Sequence, residues 1–445
     1  MTARQGEAEP VPVSEKTKQT GEIPDRWSWV EPSVWTPRML AALEEGVKGG
    51  KWFSLIDKVY APANLTQAFT RVAANGGAAG VDHQTVQMYE GQLSVNQERL
   101  AAQLQDGSYR PQAVRRVWIN KPGGKEKRPL GIPTVRDRVA QTALRNVLEP
   151  IFERDFAEHS YGFRPQRGAK QALRRIAALL KAGYTTVVDA DLKSYFDTIP
   201  RELLLVRVIE KVSDGRVIKL LASYLEQGVM EGLVRYTPTA GTPQGAVISP
   251  LLSNIYLNPL DHLMAARGVE MVRYADDFVI LCRTQAEARQ ALSWVQDWTD
   301  SNGLSLHPEK TRIVDATSHG GFDFLGYHFE RGYRWPRGKS IKKLRDTIGA
   351  KTRRTNGHAL SAIIEDVNRT LRGWFEYFKH SHETTFKQQD SWIRMRLRSI
   401  LRKRNHMAGR GRGADHQRWP NAYFATRGLF SLAAARASLC QSSRR

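Results

Sequence analysis

Cysteine is nearly absent from the 445 residues: Cys282 and Cys440 stand far apart, and there are no others. Two isolated cysteines exclude a disulfide framework and any cysteine-rich zinc site. They fit a reducing cytosol, so a cytoplasmic location is expected. Long apolar runs are missing as well. No stretch reaches the ~18 residues of a membrane-spanning helix, and the polar N-terminus has no secretory signal pattern, so no membrane partner is expected. The glycine-rich stretch Asn75-Gly-Gly-Ala-Ala-Gly-Val-Asp82 is not followed by the Gly-Lys-Ser/Thr of a phosphate-binding P-loop. Internal repeats are absent.

Acidic residues are the scarcer charge. There are 67 Lys and Arg against 45 Asp and Glu, a net +22, with a pI near 10.1. That balance favours a polyanionic partner, nucleic acid first. The excess is concentrated: residues 331–445 hold 27 basic against 7 acidic residues, and residues 1–330 hold the remaining 40 against 38. A solvated basic tail is the plain alternative. This last quarter also carries Trp335, Trp374, Trp392 and Trp419 and helical apolar spacing, so a folded nucleic-acid-binding module is expected there. Hydrophobic residues make up 41%, enough for a sizeable core, and the length suggests about three domains.

Residues 1–25 are rich in Glu, Lys, Thr, Pro and Gln and are expected to lack order. Helical spacing covers 52–104 apart from the glycine-rich stretch, then 135–156, 170–181, 203–226, 249–263 and 286–298. Residues 114–130 read as a hairpin turning at Pro122-Gly-Gly124. Strands are expected at 185–192, 307–314 and 322–329, and a second hairpin at 271–282 with Asp276-Asp277 near its tip. Beyond 331, Leu360, Ile363, Ile364, Val367, Leu371, Trp374, Phe375 and Phe378 fall on one helical face. Their rings are expected in a core rather than as platforms for bases. A further helix over 387–404 carries Arg394, Arg396, Arg398, Arg402, Lys403 and Arg404, and 409–413 is a Gly/Arg loop.

Two short segments carry the chemistry. In Val187-Val-Asp-Ala-Asp191, Asp189 and Asp191 share one face of a strand by its period of two. Tyr274-Ala-Asp-Asp277 sets two acids between apolar Met271-Val272 and Phe278-Val-Ile-Leu281. A charged doublet there is costly unless a cation neutralises it; for the doublet alone, an exposed turn is the simpler reading. Three carboxylates from two adjacent strands can hold two Mg²⁺ ions ~3.5–4 Å apart, and Mg²⁺ favours carboxylates, water and substrate phosphates. Such a pair suits in-line nucleotidyl transfer, one ion activating a primer 3′-hydroxyl and the other stabilising the leaving pyrophosphate.

Tyr274-Ala-Asp-Asp277 resembles the signature of reverse transcriptases, and Asp191-Leu-Lys-Ser-Tyr-Phe196 their first acidic motif. Gly241-Thr-Pro-Gln-Gly245 with Ser249-Pro-Leu-Leu-Ser-Asn254 looks like their nucleotide-pocket motif. Arg128-Pro-Leu-Gly-Ile-Pro133 and Ser160-Tyr-Gly-Phe-Arg-Pro165 are similar to fingers motifs of the group II intron branch, whose N-terminal extension residues 75–82 resemble. Gly303-Leu-Ser-Leu, His307-Pro-Glu-Lys310 and Phe324-Leu-Gly-Tyr327 complete the order, and Leu371-Arg-Gly-Trp-Phe375 looks like the thumb and maturase segment. The resemblance is dense over 64–327 and looser over 341–378. It implies an α+β right-hand polymerase, with fingers, an antiparallel palm sheet and a helical thumb, followed by a basic helical maturase-type segment. It also implies an RNA-directed DNA polymerase that takes deoxynucleoside triphosphates, a DNA primer or target, and group II intron RNA.

Position by position, the resemblance implies that Asp191, Asp276 and Asp277 hold two Mg²⁺ ions with a backbone carbonyl from Leu192. Asp189 takes a structural or supporting role. Phe196 becomes the steric gate against a 2′-hydroxyl, with palm core as the alternative. Gln244 lines the nucleotide pocket. Lys121 and Arg128 grip the triphosphate, although a solvated charge on an exposed hairpin is an equal reading of Lys121. Lys310 stands near the leaving phosphates as a general acid, and Gly326 and Tyr327 form the primer grip.

The expected division is 1–50 extension, 51–330 fingers and palm, 331–380 thumb, and 381–445 RNA-binding segment. A thumb holds duplex through backbone contacts that are salt-dependent and shape-reading. Residues 331–445 exceed that need, which leaves the 394–404 cations for intron RNA. Many relatives carry an HNH-type zinc endonuclease; its paired cysteines are absent here, so priming from existing nicks or replication forks is expected. His380 and His382 are wrongly spaced for a helical metal pair and are expected at the surface. One rival is a non-enzymatic RNA-binding splicing cofactor, against which the intact acids speak. Another is a reverse transcriptase of a different lineage. Intact Pro243-Gln-Gly245 argues against the diversity-generating type and the extension against retrons, while a CRISPR-linked or defence enzyme of the same branch stays open.

Overall fold

The computed structural model describes residues 25–47, 49–120, 127–232, 234–238, 240–242, 245–407 and 413–442. Lys121, the Pro122-Gly-Gly124 turn, Gln244, residues 1–24 and most of the 409–413 loop lie outside them. In chain order the strands are β1 (Val114–Asn120), β2 (Lys127–Ile132), β3 (Thr186–Asp191), β4 (Val229–Glu231), β5 (Val234–Tyr236) and β6 (Glu270–Tyr274). They continue with β7 (Asp277–Cys282), β8 (Arg312–Asp315), β9 (Phe322–Phe324), β10 (Tyr327–Glu330) and β11 (Tyr333–Pro336). They form three sheets, ordered β2-β1-β4-β5, β6-β7-β3-β8 and β11-β10-β9.

The sheet β6-β7-β3-β8 is antiparallel throughout and covered on both faces. Val188, Ala190, Phe278 and Ile280 join the larger core with the helices Ser249–Ala266 and Gln285–Ser301. Val187, Val279 and Leu281 point the other way, toward the helix Ala169–Lys181. Two-sided cover explains why β7 reads as a continuous apolar run rather than an alternating one. By the same period, Asp189 and Asp191 share the face of Val187, so the acids stand at the open end of an otherwise buried sheet face.

The helix expected over 203–226 is two helices, Arg201–Ile209 and Gly215–Leu225. Asp214 makes the break. Its carboxylate accepts from the N–H groups of Arg216 and Val217 at 2.9 and 3.2 Å, capping the second helix, and from those of Leu55 and Ile56 at 2.6 and 2.9 Å. Burial pushes this carboxyl up, but the four donors outweigh it and hold it below its ordinary value. Asp214→Ala orphans four N–H groups and is expected to cost about 2–3 kcal/mol, read as a lower midpoint in urea unfolding. Because the folded pKa is depressed, this contribution is complete above about pH 4 and is lost as the pH falls below that; a midpoint in Asp214→Ala equal to wild type would refute the cap.

Three further expectations need correction. Residues 322–329 are a hairpin, β9 and β10, because Leu325 and Gly326 take φ of +46° and +81° and turn the chain. Within 307–314 the strand is confined to β8, which continues to Asp315. The hairpin β4–β5 joins the β1–β2 sheet through a parallel pairing of β4 with β1, unforeseen from sequence. The glycine-rich stretch is gripped by arginines: Arg138 donates to the carbonyls of Gly76 and Ala78 at 2.9 and 3.0 Å, and Arg115 to that of Ala79.

Beyond β11, the helices Gly338–Lys351, Leu360–Phe378, Glu383–Arg404 and Leu432–Ser442 share one core, including Leu344, Val367, Leu371, Phe375, Leu397 and Leu432. Phe375 and Phe378 are buried as expected, and Trp374 is half-buried. Asp390 ties the last helix down, accepting from the N–H groups of Leu432 and Ala433 at 3.0 and 3.1 Å. Helices from both sides of residue 380 therefore pack as one body.

Candidate active site

The last residue of β3, Asp191, lies directly opposite the first residue of β7, Asp277. Asp277 also pairs with Tyr274 of β6, so Ala275 and Asp276 form the turn between these strands, with Ala275 at φ +61°. Burial, then the charges of Asp276, Asp189 and Asp191, push the Asp277 carboxyl up to about 7. Asp276 is raised by burial, with Asp191 adding to it. Burial also raises Asp189, against the pull of Arg312 at 3.2 Å. Lys310 places its ammonium 2.6 Å from Asp191 Oδ2.

Arg273, 1% exposed, fixes the turn. Its guanidinium donates to Asp261 Oδ1 at 2.7 Å, to Asn254 Oδ1 at 2.9 Å and to the Ala275 carbonyl at 2.8 Å. Asn254 in turn donates to the Gly162 carbonyl at 2.9 Å. A Cβ on Gly162 would lie 2.2 Å from Ala275 N, so only glycine lets these backbones meet. The Ser160 segment adds backbone bonds on both sides of Arg273, Tyr161 N to its carbonyl and its own N to His159 O. Sequence reasoning missed Arg273 and Asp261, although a charge between apolar Val272 and the acidic doublet demands a partner.

The nucleotide-pocket segment bridges two sheets. Gly241, at φ +83°, brings its Cα against the backbone of Phe196, whose carbonyl accepts from Thr242 N at 2.7 Å. Gly245, at φ +103°, meets the Gly131 carbonyl of β2. Phe196 is half-buried, 5.4 Å from the ring of Tyr195. Arg128 is exposed on β2. Leu192 is buried and bridges to Leu306, a pairing that uses the Asp191 carbonyl and the Lys193 N–H rather than Leu192's own carbonyl.

Tyr327 takes a different place from the one expected. Tyr327 is 2% exposed, its ring against Phe329, Tyr377 and Phe378 and its hydroxyl on the Tyr377 carbonyl at 2.6 Å. Tyr377 returns a bond to the Leu325 carbonyl at 2.8 Å. The Gly326 carbonyl accepts from Arg337 N and Ser340 Oγ, at the start of the next helix. These side chains join sheet to helix, and the tyrosine ring is closed to a primer.

The cations of 394–404 also divide. Arg398 is 2% exposed, donating to the Trp419 carbonyl and Asn421. Arg396 binds the Gly349 and Thr352 carbonyls, and Arg402 pairs with buried Asp415 at 2.7 Å. Those three hold the helices together, which corrects their assignment to RNA. Lys403 and Arg404 are exposed and Arg394 is half-buried. His380 is exposed, as expected, and His382 is half-buried.

Comparison with known proteins adds to this geometry. Residues 119–329 match the family model for reverse transcriptase (RNA-dependent DNA polymerase), and 341–419 that for the group II intron maturase-specific domain. Protein YkfC of Escherichia coli is 34% identical over 349 residues, 68% of this chain and 86% of that protein. The chain belongs to the group II intron-encoded reverse transcriptase and maturase family. This reverse transcriptase is also 41% identical over 164 residues to the group II intron-encoded protein LtrA of Lactococcus lactis, spanning 37% of this chain and 27% of LtrA. A putative COX1/OXI3 intron 1 protein of Saccharomyces cerevisiae is 25% identical over 409 residues, 78% of this chain and 48% of its own length. The enzyme is thus an RNA-directed DNA polymerase with an RNA-binding maturase domain. Among the described residues, no helix is long and apolar enough to cross a membrane.

The acids of this reverse transcriptase fit a divalent cation. Asp277 is pushed to about 7 by burial and neighbouring carboxylates, a repulsion that a cation relieves, and the Lys310 ammonium already stands on Asp191. Among the described residues, no three acidic, His or Cys side chains enclose an ion unaided.

Proposed function

We propose that Asp191, Asp276 and Asp277, with the Leu192 carbonyl, hold two Mg²⁺ ions while the enzyme extends a primer 3′-hydroxyl with deoxynucleotides on an RNA template. The observation that carries this reading is the pairing of Asp191 with Asp277 across adjacent strands, with Asp276 in the turn beside them. When bound, such ions acidify the attacking hydroxyl and stabilise the leaving pyrophosphate. The rest is the work of the chain. Arg273 and Asn254 hold the turn in register, so the acids are pre-positioned. Lys310, 60% exposed, turns from Asp191 toward the leaving phosphates as general acid. Arg128, Lys121 and Gln244 receive the triphosphate and base. Primer extension on an RNA template by wild type, and none by an Asp276→Ala/Asp277→Ala double variant, is the expected result; no extension by folded wild type would instead favour a non-enzymatic splicing cofactor.

Half-buried Phe196, its carbonyl accepting from Thr242 N, would serve as the steric gate against a 2′-hydroxyl. Phe196→Val is expected to raise ribonucleotide over deoxynucleotide incorporation by about 10–100-fold, read by single-nucleotide extension. An unchanged ratio would leave Phe196 a palm core residue.

The same chain would bind group II intron RNA to assist splicing and mobility, residues 331–380 serving as thumb and 381–445 as an RNA-binding extension. Exposed Lys339, Lys343 and Lys403 would be cations for phosphate contact, whereas the exposed Arg404 guanidinium donates to the Asn356 and His358 carbonyls.

A further inference from the structure

The β10–β11 hairpin, the stretch from His380 to Lys387 and the helix Leu432–Ser442 line an open cavity of about 740 Å³. That lies within the roughly 300–1,000 Å³ of small-ligand sites. The place is distinct from the carboxylates. Tyr333 stands at the opposite end of β10 from the Leu325–Gly326 turn, and a four-residue strand separates them by about 13 Å.

Two chemistries line this space. Tyr333 is 57% exposed, its ring 5.0 Å from that of His382 and nearly perpendicular to it. The Arg334 guanidinium donates to the His380 carbonyl at 2.9 Å, and its backbone carbonyl accepts from His382 N at 2.9 Å. The half-buried Arg436 guanidinium makes no side-chain hydrogen bond or close ion pair among the described residues, although its charge reaches Glu383. The acid in the lining, Glu383, is already paired with Lys387 at 3.0 Å. Two guanidiniums and Lys387 face one cavity against the single acid Glu383, an excess of positive charge that an anion relieves. His380 beside them is pushed down to about 4, by burial first and then by Arg334 and Arg436, so it stays neutral there.

We propose that this cavity binds one unpaired ribonucleotide of the bound RNA, with its base on Tyr333 and its phosphate between Arg334 and Arg436. The proposal rests on the RNA-binding reading above and adds a site to it. An exposed ring accepts any base by stacking, and paired guanidiniums suit a phosphate. A net positive lining beside the exposed Tyr333 ring matches a nucleotide better than an apolar peptide.

The test is photocrosslinking of the full chain to a short single-stranded RNA in which every uridine is 4-thiouridine, with adducts mapped by mass spectrometry and total binding read by filter retention. Adducts are expected on Tyr333 or His382, reduced about tenfold in Arg436→Gln, as fits loss of a charge-assisted contact. Tyr333→Ala, at an exposed position that leaves the fold intact, should remove the Tyr333 adduct and lower that on His382. Retention of RNA with adducts elsewhere, and none at these residues, would overturn the site while leaving RNA binding in place. No retention by wild type would overturn both.

Discussion

Asp277→Asn is expected to abolish primer extension and, at the same time, to make the protein more stable above neutral pH. The two effects share one cause. Asp277 starts a strand buried on both faces, with Asp191 directly across and Asp276 next to it, and its carboxyl is pushed up to about 7. Below about pH 4 the folded and unfolded chains both hold its proton, and no penalty exists. Between that value and about 7 the unfolded chain has released the proton and the folded chain has not, so stability falls as the pH rises. Above about 7 the penalty is complete. A shift of this size corresponds to at most about 4 kcal/mol, and because Asp276, Asp189 and Asp191 share the repulsion, asparagine should recover on the order of 2 kcal/mol. Thermal midpoints across pH 4–8 should therefore fall for wild type and stay flatter for the variant. Millimolar Mg²⁺ should restore wild type more than the variant. Extension should drop on the order of 10³-fold or more, equivalent to about 4 kcal/mol of barrier. Parallel pH profiles for the two proteins would show that the acids do not repel one another in the free enzyme.

Cutting the support beneath that turn should separate stability from rate. Arg273 and Asp261 form a buried ion pair; burial works against the guanidinium's charge, but Asp261 outweighs it and holds it above its ordinary value. Asp261→Ala strands that charge in the core and is expected to cost about 3–5 kcal/mol. Arg273→Met fills a similar volume with apolar atoms and should cost less, yet it removes the donors that hold Asn254 and the Ala275 carbonyl. The turn bearing Asp276 then loses its anchor. The methionine variant should fold with a modest loss and extend primers about 10²-fold more slowly, since catalytic groups displaced by about 1 Å lose rate on that scale. Urea unfolding and single-turnover extension measure the two quantities. Wild-type rates in Arg273→Met would show that the β6–β7 turn keeps its geometry unaided.

The meeting of Asp191 with Asp277 was legible because the acids interrupt apolar strands, where charge calls for a neutralising partner. The same reasoning reaches Arg273 once its place between Val272 and the doublet is taken seriously. It fails at Arg396, Arg398 and Arg402, because a run of arginines looks the same whether it faces phosphates or the carbonyls of Gly349, Thr352 and Trp419. It fails at Asp214 for another reason. Apolar spacing continues through the break between the two helices, and two of the N–H groups that Asp214 accepts from lie 158 and 159 residues away in sequence. The β4 and β5 strands, three residues each, are too short to show a period. Tyr327 sits in a family motif, and a motif match gives position without saying which neighbour the side chain prefers.

The joint between β10 and the helix Leu360–Phe378 has a mechanical meaning. Tyr327 binds the backbone of the helix, and Tyr377 binds the backbone of the β9–β10 turn, so the two hydroxyls latch it from both sides. A hinge latched in both directions has little compliance. Swinging of the helix Leu360–Phe378 is therefore passed on to the β11-β10-β9 sheet rather than absorbed at the joint.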